Sequence, residues 1–410
     1  MDSYIVRQAL MDSDQKTFGY EILYADSSFG EVQTDDSTAA NAIENFLSSM
    51  NSEKFTSGKI AFLTFTQSLL EKNIPKMFET SKLVVQIEDS LITNPMSHSY
   101  ITKLKQSGYK IAVIDFEFAP RFFGILDIVD YIKINFSRED PSLENLVKIG
   151  MSFGKKVIAY NIETAEQYER AKALGCSYFQ GSYLAQKTSS TVKKANHLQS
   201  NFFLLMIAVT KDEPDIDEIE EIISRDVSLT YSLLKLVNSA YFALRNRARS
   251  VKQALVILGI GQLKQWIYLL SFKQDDGSQD ELVKLSFLRA MFASELVILG
   301  SDMPISRSEG YLLGMFSTLD KLMAISLDEA LEQLPISDEI KNGLLKGEGK
   351  AGTLLSLVLS YEKADWRNMS IAAEELGISS SLIAQKYFEC VENVNDIWNG
   401  LTQANDELVD

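Results

Sequence analysis

The sequence predicts an α/β domain followed by an all-α one: a modified (β/α)8 barrel over residues 1–187, a linker over 188–200 and a helical domain over 201–410. Three observations carry this. Short runs rich in Ile and Val recur through the first half and alternate with helical stretches, which implies parallel pairing with crossover helices. From about Gln186 the stretch QKTSSTVKKANHLQS turns polar, as a linker or a short connecting helix does. Beyond Asn201 no convincing strand occurs, and apolar residues recur at helical spacing.

Tyr4 to Leu10 and Phe18 to Tyr24 read as strands whose MDSDQKT link is too short for a parallel crossover, so they should pair as a hairpin. KIAFLTF, KLVVQIE, KIAVID, YIKIN, KVIAY and SYFQG follow, interleaved with helices at Ser37 to Met50, Pro95 to Ser107, Ala119 to Leu126, Pro141 to Phe153 and Thr164 to Leu174. Eight strands permit closure into a barrel. An open doubly wound sheet is the alternative, but no glycine-rich phosphate loop follows any strand. In the second half Leu229, Leu233, Leu236, Val237 and Ala240 share a helical face, with Ser228 as the expected N-cap after Asp226. VKQALVILG, GQLKQWIYLLSF, ELVKLSFLRAMFASELVIL, SRSEGYLLGMF and SLIAQKYFECVENVNDIW continue that periodicity.

Composition narrows the chemistry. A net charge of -16 argues against a general nucleic-acid binder, and the 46% hydrophobic content is ample for packed cores. The start, MDSYIVRQALMDSD, has no basic region followed by an apolar core, and no apolar run approaches the ~20 residues of a membrane span. A cytoplasmic protein without membrane contact is expected. Cys176 and Cys390 are too few for a disulfide framework or a cysteine zinc site, and His98 and His197 cannot form an imidazole cluster.

In a parallel barrel the carboxyl ends of the strands form the mouth. IAVID ends at Asp115 and YIKIN at Asn135, with Lys133 one alternation earlier on the same face. Together the strand ends from Tyr4 to about Lys187 resemble the EAL domain, the cyclic di-GMP phosphodiesterase family. FGYEILYAD stands where that family has E-A-L-L-R, which puts Glu21 on its metal-binding Glu and Ala25 on its substrate-contacting Arg. Thr64 falls on an Asn, Gln86 on a ligand Glu, Ile114 on the first Asp of D-D-F-G, Asn135 on the terminal Asp of D-Y-I-K-I-D and Tyr160 on a further Glu. Asp115, Lys133, Glu163, Gln180 and Gly181 match the family pattern.

That resemblance implies two divalent ions polarising a phosphodiester, and hard cations need several converging anionic oxygens. The set here is depleted. Glu88 and Asp89 could rebuild one ligand at most, and Lys133 is expected to lose the anionic groups that balanced it. Loss of the Arg equivalent removes a bidentate phosphate contact, so any cyclic di-GMP binding should be weak. No catalytic residue, metal or cofactor is expected.

SRDVSLTYSLLKLVNSAYFALRNRARSVKQALVILGIGQLKQWI is similar to the HDOD domain, a helical relative of HD phosphohydrolases, at Asp226, Leu229, Asn238 to Ala240, Gln253 to Ala254 and Leu258 to Gly259. Val227 replaces the usual Pro, and no histidine follows His197 to serve an HD metal pair. Two stretches here carry opposite charge, KDEPDIDEIEEIISRD and RNRARSVK. Each is a solvated face by default, and Arg245, Arg247, Arg249 and Lys252 form the candidate surface for an acidic partner. The expectation is a bacterial signalling protein of tandem EAL–HDOD type, without catalysis, acting through protein partners.

Overall fold

The computed structural model describes residues 3–26, 43, 52–88, 91, 94–115, 123–137, 142–186, 197–225, 227–237, 248–270, 280–323, 326–332, 334 and 336–406. The chain divides into two compact units, one of Met1–Lys187 with Leu359–Ile371 and Ser379–Phe388, the other of Thr188–Val358, Ala372–Ile378 and Glu389–Asp410.

The first unit is a closed eight-stranded barrel. Its strands are β1 (Ser3–Met11), β2 (Thr17–Asp26), β3 (Ile60–Thr64), β4 (Leu83–Glu88), β5 (Lys110–Ile114), β6 (Tyr131–Asn135), β7 (Lys156–Tyr160) and β8 (Tyr178–Phe179). As the short link requires, β1 and β2 pair antiparallel, and the Asp12 carboxylate fixes their turn by accepting from the amides of Asp14 and Lys16, each at 2.9 Å. From β2 to β8 every neighbour is parallel, and closure rests on one antiparallel pair, Met11 with Phe179. The crossovers include Pro95–Gln106, Leu143–Ser152 and Ala165–Ala173, close to the expected helices. The last begins at a capping box of Thr164 and Gln167. The helix expected at Ser37 to Met50 lies almost wholly outside the described residues, as does the first half of Ala119 to Leu126.

Side chains alternate along each strand, so the barrel interior is built in rings. Leu10, Phe62, Val84, Ala112, Tyr131, Ile158 and Tyr178 form an apolar ring, backed by Phe18 and Ile60. The aromatic members touch, with Phe62 and Tyr131 edge-on at 5.3 Å and Phe18 stacked on Tyr178 at 4.1 Å. One alternation towards the mouth stand Gln8, Thr64, Gln86, Ile114, Lys133, Tyr160 and Gln180.

The second unit is helical throughout its described residues, beginning at His197–Thr210, inside the stretch expected as linker; residues 187–196 lie outside those described. Helix Val227–Val237 starts one residue before the expected N-cap, which puts Ser228 in its first turn instead. Helix Val251–Leu270 breaks at Gly259, whose φ of 70° few other residues adopt without strain. Asp280–Leu299 and Arg307–Phe316 approach closely because two glycines one turn apart face the partner. A Cβ on Gly314 would lie 2.2 Å from the Arg289 carbonyl oxygen, and one on Gly310 2.5 Å from Val297.

The units differ from the contiguous helical domain expected over 201–410. Segments 359–371 and 379–388 group with the barrel, joined to it and to each other by aromatic contacts. Trp366 stacks on Tyr4 at 5.3 Å, Tyr361 packs on Tyr387 at 4.6 Å, and Phe388 lies 5.2 Å from Phe55. The Tyr361 hydroxyl donates to the Ile5 carbonyl at 3.0 Å. Since β1 pairs with β8 at a single position, most of that strand's edge would otherwise be bare, and an uncovered edge is a template for aggregation.

Candidate functional site: the mouth of the barrel

Glu21 sits at the centre of the mouth ring, paired across the hairpin with Gln8 and across the parallel ladder with Phe62. It is 4% exposed. Its Oε1 accepts from the Lys133 ammonium at 2.5 Å and from the Gln86 amide at 2.6 Å, and its Oε2 accepts from the Gln180 amide at 2.5 Å. Burial alone would push this carboxyl up. The charge of Lys133 and hydrogen bonds from Lys133, Gln180 and Gln86 outweigh it and hold Glu21 below the usual value of 4.5.

Each surrounding residue arrives by the two-residue alternation. Gln86 also donates to the Thr64 hydroxyl at 2.9 Å, across the β3–β4 ladder that pairs them. Lys133 is 1% exposed and lies 4.9 Å from the Tyr160 ring centre, within cation–π range. The Tyr160 hydroxyl donates to the Asp115 carboxylate. Asp115 follows β5 directly, in the left-handed region at φ 52°, which non-glycine residues seldom occupy. Gln180 is held at the mouth by Gly181, where a Cβ would lie 2.1 Å from the Ile162 carbonyl.

The expectation that Lys133 would lack a balancing anion is therefore corrected: Glu21 supplies it directly, because a buried ammonium needs a partner. Asn135 turns to its own loop, accepting from the amide and hydroxyl of Ser137 at 3.0 and 2.8 Å. Glu88 and Glu163 are exposed, Asp89 lies outside the described residues, and of Ala25 only the backbone is described. Gln8 was not singled out by the sequence, yet its Oε1 accepts from the Gln180 amide at 3.1 Å. A glutamine in YIVRQALM carries no local sign that it faces a mouth.

These residues do not fit a pair of divalent ions. Both oxygens of Glu21 are occupied by donors, Asp115 is engaged by Tyr160, and no group of three or more His, Cys, Asp or Glu that could hold a metal occurs among the described residues. Cys176 is buried, and burial pushes its thiol up to about 12.

In the second unit the candidate basic loop is only partly described, since Arg245 and Arg247 lie outside the described residues, as do Asn238 to Ala240. Arg249 is exposed, and its backbone amide donates to Gln253 at 2.9 Å. Lys252 is paired within the chain, 2.7 Å from Asp217 and 3.9 Å from Glu220. Among the described residues no helix is long and apolar enough to cross a membrane.

Comparison with known proteins gives two family matches in the expected order, an EAL domain over residues 40–187 and an HDOD domain over 197–335. A Bacillus subtilis protein, the uncharacterised YuxH, is 30% identical over 408 residues, covering 95% of this chain and 96% of its own. The chain belongs to the tandem EAL–HDOD family. A second relative of similar length, the cyclic di-GMP phosphodiesterase CdgJ of Vibrio cholerae, is 28% identical over 403 residues, 96% of this chain and 93% of its own. An EAL-domain protein of Listeria monocytogenes superposes with a TM-score of 0.35 at 19% identity, covering 44% of this chain and 87% of that one. Superposition at that score is loose, and the EAL-type barrel here rests on its own strand pairing. The EAL match begins at residue 40, after the hairpin, so Glu21 is placed in the mouth by the β1–β2–β3 register.

Proposed function

We propose that this EAL–HDOD protein is a non-enzymatic signalling protein that acts through protein partners in or near cyclic di-GMP signalling. The observation that carries this reading is the saturation of Glu21: a carboxylate that accepts from one ammonium and two amides at 2.5–2.6 Å has no oxygen directed at a hard cation, and hard cations need several such oxygens. To seat a metal there, Lys133 would have to leave its buried ion pair with Glu21. The name of the relative CdgJ supports the nucleotide context, and the absence of histidine beyond His197 supports a helical half without HD chemistry.

The test is direct. Full-length protein incubated with cyclic di-GMP and magnesium, manganese or calcium should give no linear dinucleotide above a no-protein control. Metal-dependent turnover that disappears in Glu21→Ala would overturn the proposal. Calorimetry with cyclic di-GMP should give nothing tighter than micromolar affinity, because Ala25 stands where the EAL pattern carries its phosphate-binding Arg; a nanomolar isotherm would make the protein a receptor instead.

A further inference from the structure

The hydrogen bonds of the mouth do not stop at the mouth. Glu21 Oε2 accepts from Gln180 Nε2 at 2.5 Å, the same amide donates to Gln8 Oε1 at 3.1 Å, and Gln8 Nε2 donates at 3.1 Å to the carbonyl of Glu362. Glu362 is the last residue of helix Gly349–Glu362 and belongs to the segment Leu359–Ile371 that groups with the barrel. A carbonyl at a helix C-terminus has no partner within its own helix, and Gln8 supplies one. The amide geometry makes the chain directional. Gln180 can donate to both Gln8 and Glu21 only while its NH2 faces them, and the bond it gives to the Gln8 carbonyl favours the amide orientation in which the Gln8 NH2 faces Glu362.

Beside this link the same segment is held by Tyr361 on Ile5 at 3.0 Å and by Trp366 stacked on Tyr4 at 5.3 Å. Tyr4, Gln8 and Leu10 alternate on one face of β1, so Leu10 anchors the apolar ring, Gln8 the mouth, and Tyr4 the C-terminal segment. The helix that ends at Glu362 begins at Gly349, in the residues of the helical unit.

We propose that the relay Glu21–Gln180–Gln8–Glu362 makes the docking of segment 359–371 on the β1–β2 hairpin depend on the Glu21 carboxylate, so that whatever withdraws Glu21 from its donors loosens the C-terminal segment. The device does not depend on the absence of hydrolysis, and Gln8 and Gln180 act in it as positioning residues.

Amide hydrogen exchange on the full chain tests this. Gln180 donates to Glu21 and Gln8 and reaches the segment only through Gln8, so a purely local role would leave 359–371 unmoved when it changes. Gln180→Met should raise exchange across 359–371 on the order of three- to tenfold, the worth of about one net hydrogen bond, while strands 111–114 and 131–135 keep their protection. In a Gln8→Met background, where the relay is already cut, Gln180→Met should add nothing, the signature of coupled positions. Unchanged exchange at 359–371 in Gln180→Met would overturn the proposal, and so would an equal rise in both backgrounds. Should Gln180→Met unfold the barrel strands, Glu21→Gln takes its place: exchange across 359–371 should rise in the wild-type background and not in Gln8→Met, and either failure overturns the relay.

Discussion

The apolar ring of Leu10, Phe62, Val84, Ala112, Tyr131, Ile158 and Tyr178 and the ring one alternation nearer the mouth share one backbone and differ in chemistry. The first is stabilised by burial and ring contact. The second holds a buried charge pair, three amides and a phenol, each bonded to a neighbour in the mouth. In an EAL-type barrel that uses metal, the mouth ring would repel itself until cations arrived. Here the ammonium of Lys133 and the amides of Gln86 and Gln180 face Glu21, so that carboxylate is already charge-paired and hydrogen-bonded within the mouth. Both rings are closed by contacts within the barrel, and the energetics of the mouth ring should resemble those of the ring beneath it.

Breaking the pair is the strongest way to challenge that comparison. Lys133→Ala should destabilise by about 3–5 kcal/mol, because it leaves Glu21 buried and unpaired. That is the cost expected of Phe62→Ala in the apolar ring, about 3–5 kcal/mol. Replacing both partners together, Glu21→Leu with Lys133→Met, should cost less than Lys133→Ala, since it leaves no unpaired charge, and what remains is the bond that Gln86 and Gln180 each lose to Glu21. Urea denaturation of the three variants checks this, and a wild-type midpoint for Lys133→Ala would show that the mouth is solvated and unlike the ring beneath it.

Acid should do to the mouth what mutation does. A carboxyl held below its unfolded value stabilises the fold at every pH above that value, and the contribution is lost as pH falls through the folded value. Glu21 is held below 4.5. Stability should therefore fall on the acid side of 4.5 more steeply in wild type than in Glu21→Gln, which has no carboxyl to protonate. Parallel acid limbs in the two proteins would place the acid sensitivity elsewhere.

The barrel was legible in sequence, and its mouth only in part. IAVID, YIKIN and KVIAY announce buried strands by β-branched alternation, and the MDSDQKT turn forces a hairpin. Asp115 closes such a run, Lys133 stands one alternation before the end of another, and Gln180 is marked by the EAL resemblance. What they bind was hidden, since Lys133 and Glu21 are 112 positions apart, and no spacing rule reports a contact across a closed barrel. Tyr160 read as a lost ligand, yet its ring faces Lys133 and its hydroxyl serves Asp115. Gln8, and the return of segments 359–371 and 379–388 to the barrel, left no local signal because both depend on contacts with β1 from residues far away in sequence.

Tyr160→Phe separates the two roles of that residue. The ring over Lys133 is retained and the bond to Asp115 is lost, so the cost should be about 1.5–3 kcal/mol, that of a hydrogen bond to a charged group, reduced by the partial exposure of both residues. Urea denaturation measures it. A larger loss, equal to that of Lys133→Ala, would mean that Asp115 belongs to the same cooperative network as Glu21.

The smallest effect is expected in the helical unit, where charge meets charge at the surface. Lys252 is exposed and paired with Asp217 and Glu220, so two stretches that read in sequence as separate solvated faces neutralise one another in part. Exposed pairs contribute little, being screened by water and salt, and Lys252→Ala should leave the melting temperature unchanged. Because its charge is already engaged, Lys252→Ala should also disturb partner binding less than reversal of Arg245, Arg247 and Arg249 to Glu. The arginine reversal should slow association and weaken its salt dependence, as changes of rim charge do. Surface plasmon resonance against the captured partner at two ionic strengths reads both quantities. Equal on-rates for wild type and the triple reversal would remove the basic loop from the interface and turn attention to the acidic stretch that Lys252 holds.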